Sequence, residues 1–314
     1  MKPIFFKPIY KNVIWGGDKI AKIFKRDVVG DDIGESWEIS AHQNGVSIIQ
    51  NDEYNGINLC ELFNDKTRRE EIFGTNCVDM DRFPILVKFL DANKPLSIQV
   101  HPNDEYAKKN EHDSGKTECW YIMDCKEEAK IVYGFKDIAT PENLIEAVDN
   151  IEETINYLNV KKGDFILIPS GTVHAIMDGI VLCEVQQSSD VTYRVYDWNR
   201  KDKNGNLREL HKEKALDVID LKHAKTVHNY NDISENVDIC REKVFNIDMV
   251  VVNGKQEDIS KRESFYAYIV VEGSGELRSN DISVSIAKGD SFLIPATLGE
   301  YKFTGSLKMM KVWV

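Results

Sequence analysis

The sequence has no Cys-x-x-Cys pair, although it contains six cysteines. This absence excludes the usual zinc ribbon and the thioredoxin-type redox motif, because both need two closely spaced thiols. Cys119 and Cys183 lie within apolar, strand-like runs, so we expect them to pack as small buried hydrophobic side chains. Cysteine chemistry is therefore not expected to carry the function.

The sequence also lacks an apolar run that could cross a bilayer, for which about 20 residues are needed. The stretch from Met1 to Tyr10 is interrupted by Pro3, Lys7 and Pro8 and does not resemble a signal peptide. We therefore expect a cytoplasmic protein without a membrane partner.

Positive charge is scarce, because 40 Lys and Arg residues stand against 52 Asp and Glu residues, which gives a net charge of −12. A protein with a net negative charge is a poor partner for nucleic acid or an anionic membrane. An anionic small molecule would need a local pocket of Lys and Arg side chains to overcome the overall repulsion.

What the sequence does contain is a succession of short segments that are rich in β-branched and aromatic residues. Such segments, separated by Gly or Asp, predict an all-β fold, either a sandwich or a barrel. Strands are predicted at residues 35–40, 84–90, 97–102, 117–123, 130–135, 154–160, 165–168, 173–176, 180–187 and 192–198. Segments 84–90 and 97–102 are expected to pair through a turn at Asn93.

A few short helices are predicted between these strands. They cover residues 58–72, 104–110, about 140–148 and 212–219. Asn58 and Asn103 are suited to cap the first two helices, because an Asn side chain can accept a hydrogen bond from the first turn.

An internal repeat divides the chain. Residues 162–169, KGDFILIP, match residues 288–295, KGDSFLIP, in the same register. Residues 120–122 have a rough counterpart in residues 267–269. The repeat predicts two small β-barrels of related design, with a first domain at 1–221, a polar linker at 222–237 and a second domain at 238–314.

Residues 97–102 form the most informative strand. Ser97, Gln99 and His101 share one face, whereas Ile98 and Val100 share the other. If the polar face points into a barrel, Gln99 and His101 are adjacent candidate metal ligands. A single His on a strand is more often a hydrogen-bonded core residue, so other ligands must join them.

Glu118 and His174 are two further candidate ligands, because their spacing matches known sequence motifs. Gly163 is followed by Pro169, Gly171 and His174 in a spacing that resembles the second sequence motif of the cupin barrels. His101 and Glu118 match the first motif. Two His and one carboxylate, with the Gln99 amide, make a mixed nitrogen and oxygen site that suits zinc with an open position.

The second repeat serves as an internal control. Counted from Gly289, the place of His174 is filled by Glu300 and that of Gly171 by Thr297, while Phe265 lies near the place of Glu118. The second barrel is therefore expected to keep the scaffold without the metal ligands.

Several charged residues accompany the candidate ligands. Lys116 lies two residues before Glu118 and so points to the same face, and Glu184 lies on the strand after His174. Arg194 is flanked by Tyr193 and Val195, which favours a polar cavity over a surface salt bridge. Lys88 lies in an apolar strand and needs a partner; facing Ser97 across the Asn93 turn, the two could hold a phosphate.

The remaining histidines lie in polar or helical surroundings and are interpreted as solvated, with His42 the least clear of the group. They are His42, His112, His211, His223 and His228.

Taken together, these stretches resemble the type I mannose-6-phosphate isomerases of the short bacterial kind. The matching segments are residues 15–17, 34–40, 94–102, 115–118, 169–175 and 186–198. The resemblance implies two cupin barrels, one zinc held by Gln99, His101, Glu118 and His174, and an active-site arginine at Arg194. It also implies the interconversion of mannose 6-phosphate and fructose 6-phosphate.

Such an isomerase needs a base and a stabiliser of an enediolate. We expect Glu184 to be the base, with Lys116 as the alternative, and Arg194 to stabilise the developing charge. Asp190 is expected to help ring opening or to orient Arg194, and Lys88, Ser97 and Arg200 are expected to anchor the phosphate. A sugar-binding regulator without turnover and a metal-dependent dioxygenase remain alternatives.

Overall fold

The computed structural model describes the whole chain except residues 29, 31, 52–53, 203, 223–225 and 281. The described residues form a mainly β structure, which confirms the all-β prediction. The strands are β1 (Ile4–Lys7), β2 (Ile9–Gly17), β3 (Ile33–Ile39), β4 (Ala41–His42), β5 (Gly45–Val46), β6 (Ile48–Ile49), β7 (Ile85–Ala92), β8 (Ile98–Val100), β9 (Glu118–Cys125), β10 (Lys130–Phe135), β11 (Ile155–Asn159), β12 (Asp164–Ile168), β13 (His174–Ile176), β14 (Ile180–Gln187), β15 (Tyr193–Tyr196), β16 (Val227–Asn229), β17 (Val237–Arg241), β18 (Asn246–Ile259), β19 (Tyr266–Ser279), β20 (Ile282–Ala287), β21 (Ser291–Ile294) and β22 (Glu300–Trp313).

The helices are short and lie between the strands. They are α1 (Lys19–Phe24), α2 (Leu59–Asn64), α3 (Arg69–Phe73), α4 (Asp104–Asn110), α5 (Leu144–Asp149), α6 (Ile151–Thr154) and α7 (Lys212–Val218), with 3-10 turns at Thr75–Cys77 and Pro141–Asn143. In the described part of the chain, no helix combines the length and the apolar character that crossing a bilayer requires.

The first barrel is built from two antiparallel sheets. One has the order β16-β12-β9-β14-β7-β3-β2 and the other the order β11-β10-β13-β8-β15. Trp120 and Ile166 of the first sheet pack with Ile131 and Ile176 of the second in one buried cluster. Apolar side chains of the two sheets thus pack against each other inside the barrel.

The second barrel is an antiparallel sheet of order β17-β18-β22-β19-β21-β1-β6, with β20 paired to β19. The first strand of the chain therefore belongs to it, because Ile4 pairs with Leu293 of β21. Phe83 and Phe265, whose rings lie 5.1 Å apart, belong to an apolar cluster that spans both barrels.

The repeat that the sequence predicts is visible as two equivalent turns. Gly163 and Gly289 have φ of 87° and 98°. The carboxylate of Asp164 accepts a hydrogen bond from the N–H of Lys161 (2.8 Å), and that of Asp290 accepts one from Ala287 (2.7 Å). Glycine in the left-handed region and an Asp that closes the turn are what these tight connections require.

Strand register corrects the residue-by-residue match of the repeats. Ile168 pairs with Glu118, and its repeat equivalent Ile294 pairs with Tyr266. The counterpart of Glu118 is therefore Tyr266 and not Phe265, and residues 120–122 correspond to 268–270. The alignment from sequence is displaced by one residue in the strand before the turn, because only the turn and the strand after it are closely similar in the two repeats.

The predicted hairpin at Asn93 is wrong. β7 and β8 lie in different sheets. The connection is drawn across the barrel because the N–H of Lys94 donates to the carbonyl of Trp15 (3.1 Å) and that of Leu96 to the carbonyl of Ile176 (2.8 Å). Local turn signals cannot reveal these two long-range hydrogen bonds.

The helix predicted at 58–72 is divided into α2 and α3. Asn58 caps α2 as expected, accepting from the N–H of Glu61 at 2.8 Å. The break follows from Asp65, whose carboxylate accepts hydrogen bonds from the N–H and the hydroxyl of Thr67 and so favours a turn over a helix.

The segment predicted as a linker contains a strand. Val227–Asn229 forms β16 and pairs with β12 of the first barrel. His223, interpreted from the sequence as solvated, lies outside the described residues. The domain boundaries at 221 and 238 stay a prediction.

Candidate active site

A buried group of two histidines and one glutamate lies inside the first barrel. His101 follows β8, Glu118 begins β9 in the opposite sheet, and His174 begins β13. The Nε2 atoms of His101 and His174 lie 3.6 Å and 3.4 Å from the two carboxylate oxygens of Glu118. All three side chains are buried, and their potential ligand atoms lie within 4.8 Å of one another.

Backbone carbonyls fix the orientation of both imidazoles. The Nδ1–H of His101 donates to the carbonyl of Val191, and that of His174 donates to the carbonyl of Thr172, each at 2.8 Å. Each Nε2 is thereby left with a lone pair that faces Glu118, and the nearest side-chain nitrogens are the Lys116 ammonium at 3.2 Å from His101 and the Gln99 amide at 3.4 Å from His174. Burial lowers the pKa of His174 to about 4, and burial together with Lys116 lowers the pKa of His101.

Glu118 supplies the test of whether a metal fits. Neither of its carboxylate oxygens accepts a hydrogen bond from any described residue, although both are buried. The ammonium of Lys116 forms an ion pair with it at 3.0 Å. A buried carboxylate with one ion-pair partner, no hydrogen bond from the described residues and two imidazole nitrogens facing it suits a divalent cation with nitrogen and oxygen ligands.

Gln99 adds an amide to this group. It pairs with His174 across β8 and β13, and its side-chain amide lies 3.4 Å from Nε2 of His174. The structure thus brings together the four residues for which the sequence predicts a ligand set, namely Gln99, His101, Glu118 and His174.

A cavity of about 360 Å³ lies beside this group and is lined by Gln99 and Lys116. Most of the other sequence-predicted site residues also line it. They are Lys88, Ser97, Glu184, Asp190 and Arg194. Lys88 and Ser97 approach the cavity from different sheets, since the predicted hairpin between them does not form.

Lys88 and Glu184 form a buried network on one wall. The ammonium of Lys88 lies 3.5 Å from Glu184 and 3.6 Å from Glu35, and the indole N–H of Trp120 donates to Glu184 at 3.0 Å. Burial alone would lower the pKa of Lys88, but the two carboxylates outweigh it and raise that pKa. Lys88 therefore stays charged inside the barrel.

Arginines form the opposite wall. Arg194 donates to the carbonyl of Glu209 at 2.9 Å, and its buried Nε has no hydrogen-bond partner among the described residues. Burial and the nearby Arg208 lower the pKa of Arg194. A guanidinium with an unused N–H at a cavity wall is available to an anionic ligand.

Arg200, a predicted phosphate contact, is not among the residues that line the cavity. It binds the carbonyl of Pro95 and the carboxylate of Asp197. Arg208, which shares Asp197, lines the cavity instead. Sequence reasoning missed Arg208 because it lies in a polar loop without periodicity or motif.

Trp15 and Glu35 also line the cavity, although the sequence assigns neither of them to the site. His42, interpreted as solvated, is only 4% exposed. His211 is half-buried, and its Nδ1 accepts from the N–H of Arg194 at 3.1 Å. His112 and His228 are exposed as expected.

Comparison with known proteins agrees with this geometry. The family model described as phosphomannose isomerase type I, catalytic domain, matches residues 4–119, and the one described as mannose-6-phosphate isomerase, cupin domain, matches residues 238–314. Mannose-6-phosphate isomerase ManA of Bacillus subtilis is 41% identical over 97% of this chain and 96% of its own length.

Solved structures show the same similarity. The crystal structure of the mannose 6-phosphate isomerase from Bacillus subtilis covers both chains fully, with a TM-score of 0.89 and 36% identity. A mannose 6-phosphate isomerase bound with zinc and yttrium shares the fold, with a TM-score of 0.78 and 15% identity over 100% of this chain and 99% of that one. The chain belongs to the type I mannose-6-phosphate isomerase family.

Proposed function

We propose that this protein interconverts mannose 6-phosphate and fructose 6-phosphate by a zinc-dependent proton transfer through a cis-enediol. The observation that carries the proposal is the buried group of His101, Glu118 and His174 beside a cavity lined by Lys88, Lys116, Arg194 and Arg208. Four cations around one cavity, in a protein of net charge −12, provide the local pocket that an anionic sugar needs.

One zinc per chain would be held by His101, Glu118 and His174, with Gln99 as the fourth ligand. When bound, zinc would supply Lewis-acid stabilisation of negative charge on the sugar oxygens at C1 and C2. The donor set fits this ion, because two neutral imidazoles, one carboxylate and one amide leave a fifth position open. Zinc is also one of the two metals named for a structure of the same fold.

Moving a proton between C1 and C2 requires a base that takes it from one carbon and returns it to the other. We assign this role to Glu184, whose carboxylate is held in place by Trp120 and Lys88 at the cavity wall. Lys116 is the alternative, because its ammonium lies between the cavity and the ligand group, 3.2 Å from Nε2 of His101.

Arginine and polar groups would hold the charged parts of the substrate. Arg194 would donate to the enediolate oxygens, and Asp190 would bind sugar hydroxyls or orient Arg194. Lys88 and Ser97 would contact the phosphate, and Arg208 would serve there in place of Arg200, because it is the one of the two that lines the cavity.

The proposal is tested by incubating the purified protein with fructose 6-phosphate, with and without a chelator. We expect mannose 6-phosphate to form, the chelator to stop its formation and added zinc to restore it. Absence of conversion by the zinc-loaded protein would favour a sugar-binding regulator, and oxygen uptake with an organic substrate would favour a dioxygenase.

The catalytic domain would comprise residues 1–221, from which β1 pairs with the second barrel, and the barrel at 238–314 would serve as a scaffold without ligands. The substrate would be a small sugar phosphate in the cytoplasm.

A further inference from the structure

His42 is one member of a closed ring of hydrogen bonds that includes the cavity residue Asp190. It ends the short strand β4, is buried, and its ring lies 6.3 Å from that of Trp37 in an edge-on arrangement. Its Nε2 lies 3.3 Å from Oδ2 of Asp113. Its Nδ1 accepts from the backbone N–H of Asn44 at 3.2 Å. An acceptor at Nδ1 and a donor at Nε2 define one neutral tautomer.

Both neighbours of His42 reach the same cavity residue. The side-chain amide of Asn44 donates to the carboxylate of Asp190 at 2.8 Å. Oδ2 of Asp113 accepts from the backbone N–H of Asp190 at 3.4 Å. The ring therefore runs from His42 through Asn44 to the side chain of Asp190. It returns from the backbone N–H of Asp190 through the carboxylate of Asp113 to His42.

The residue after Asp190 connects this ring to the candidate metal ligands. The carbonyl of Val191 accepts the Nδ1–H of His101 at 2.8 Å, and this bond sets the tautomer and orientation of that imidazole. Asp190 is exposed and lines the cavity, whereas Val191 is half-buried against the apolar cluster that contains Ile98 and Val100. The hydrogen bonds with Asn44 and Asp113 therefore restrain the exposed residue of this segment.

We propose that His42 is a positioning residue that holds the Asp190–Val191 segment, and through it both the cavity carboxylate of Asp190 and the orientation of His101. Its two nitrogens have separate roles. Nε2, through Asp113, fixes the backbone that orients His101, and Nδ1, through Asn44, fixes the side chain of Asp190. The consequences for zinc and for sugar phosphate rest on the proposed function, whereas the restraint of the segment does not.

The two roles can be separated by substitution. The amide nitrogen of Gln reaches the position of Nε2, so His42→Gln keeps the contact with Asp113 and loses the one with Asn44. The amide oxygen of Asn lies near the position of Nδ1, so His42→Asn keeps the contact with Asn44 and loses the one with Asp113. His42→Ala loses both, and His228→Ala changes an exposed histidine as a control.

The first measurement is amide hydrogen exchange of the peptide that contains Asp190 and Val191, made on the metal-free protein. We expect exchange to accelerate about tenfold or more in His42→Ala and His42→Asn, because the N–H of Asp190 loses a restrained acceptor, and to stay unchanged in His228→Ala. Unchanged exchange in His42→Ala would overturn the proposal, whatever the protein does to sugars.

The second measurement is the zinc dissociation constant, obtained by competition with a chromophoric chelator. We expect the zinc dissociation constant to rise about tenfold in His42→Asn and His42→Ala, which is the usual effect of losing a residue that orients a metal ligand. In His42→Gln it should stay within about twofold of wild type. We expect His42→Gln instead to raise KM for fructose 6-phosphate. Equal weakening of zinc binding by Gln and Asn would show general damage and contradict the proposal. A wild-type protein that binds no zinc would refute the metal assignment and leave the exchange result to decide on His42.

Discussion

At the scale of single residues, the two carboxylates beside Lys88 offer a matched comparison. Glu184 and Glu35 lie at nearly equal distances from the Lys88 ammonium, 3.5 Å and 3.6 Å, and both line the cavity. Each also accepts from an indole N–H, Glu184 from Trp120 at 3.0 Å and Glu35 from Trp37 at 2.7 Å, but Glu184 is buried whereas Glu35 is only half-buried. If Glu184 is the base, removing its charge must cost far more than removing that of Glu35.

We therefore expect Glu184→Gln to lower kcat by a factor of about 10² or more, in line with loss of a general base. Glu35→Gln should lower it by less than about tenfold. Steady-state kinetics with fructose 6-phosphate measure both. Normal turnover of Glu184→Gln would exclude it as the base and transfer the role to Lys116.

The two arginines of the cavity are expected to differ in kinetic effect. Arg194 would act on charge that develops only during the reaction, so Arg194→Ala should lower kcat, by about 10²-fold for one lost donor. Arg208 would bind the phosphate equally in ground and transition states, so Arg208→Ala should mainly raise KM. If Arg194→Ala raises KM alone and leaves kcat unchanged, Arg194 is a binding group.

At the scale of elements, the sequence predicts those features that local chemistry decides. α4 begins and ends where predicted, because Asn103 accepts from the N–H of Tyr106 at 2.9 Å. β14 also has the predicted bounds, because its short, β-branched-rich segment lies between Gly179 and the polar residues 188–190. These elements need no information from distant parts of the chain.

Features that depend on long-range contacts could not be predicted in the same way. The ends of the 93–97 connection are held by Trp15 and Ile176, which are far away in sequence. Arg208 enters the cavity because Asp197 holds it, and no motif marks either residue. His42 is buried because a loop that contains Asp113 folds over it. The grouping of the four proposed ligands could be predicted because strand alternation places Gln99 and His101 on one face and the motif spacing places Glu118 and His174 at the starts of β9 and β13.

The Gly163 turn connects β11 to β12 and packs against the segment after β16. A Cβ atom at Gly163 would lie 2.5 Å from Cβ of Asn231 and 2.7 Å from its backbone, in addition to the strain of φ = 87°. Gly205 has a similar φ of 84° with nothing within 4 Å of such an atom. Alanine at Gly163 would meet both the clash with Asn231 and the strain of a positive φ, whereas alanine at Gly205 would meet the strain alone.

We expect Gly163→Ala to lower the free energy of unfolding by about 3 kcal/mol, from left-handed strain and the clash together. Gly205→Ala should lower it by about 1 kcal/mol, from strain alone. Urea unfolding followed by tryptophan fluorescence measures both. An equal loss of unfolding free energy in the two variants would mean that residues 229–231 move aside without an energetic penalty and do not help to hold the turn.

At the scale of the whole molecule, the two barrels use their polar interior residues differently. In the second barrel the carboxylate of Asp258 accepts from Tyr268 (3.0 Å), Tyr301 (2.9 Å) and Lys311 (2.6 Å). Tyr268 corresponds by register to Trp120 of the first barrel. The polar groups satisfy one another here, whereas in the first barrel the oxygens of Glu118 are left without a hydrogen bond from the described residues.

This difference predicts a pH-dependent contribution to stability. Burial would raise the pKa of Asp258, but the hydrogen bond and charge of Lys311 outweigh it and lower that pKa from 3.8. A depressed carboxylate pKa stabilises the fold above the unfolded value and loses this effect as the pH falls through the folded value. Asp258→Asn should therefore lower the free energy of unfolding by about 2 kcal/mol at pH 6 and by distinctly less at pH 3.

Urea unfolding of wild type and Asp258→Asn at the two pH values measures this difference. Lys302→Ala, which changes a charge of the same barrel outside this network, serves as the control and should show no such trend. A cost of Asp258→Asn that is independent of pH would show that its charge does not stabilise the barrel.

The central claim is that one metal, held in the first barrel alone, makes this chain an isomerase of mannose 6-phosphate and fructose 6-phosphate. The most direct measurement is a titration of the metal-free protein with zinc while conversion of fructose 6-phosphate is followed. We expect activity to rise linearly and to stop rising at about one zinc per chain. Glu300→Ala, at the place of His174 in the second repeat, should behave like wild type, and His174→Ala should stay inactive. Full turnover of the metal-free protein, or normal zinc-dependent turnover of His174→Ala, would contradict the account.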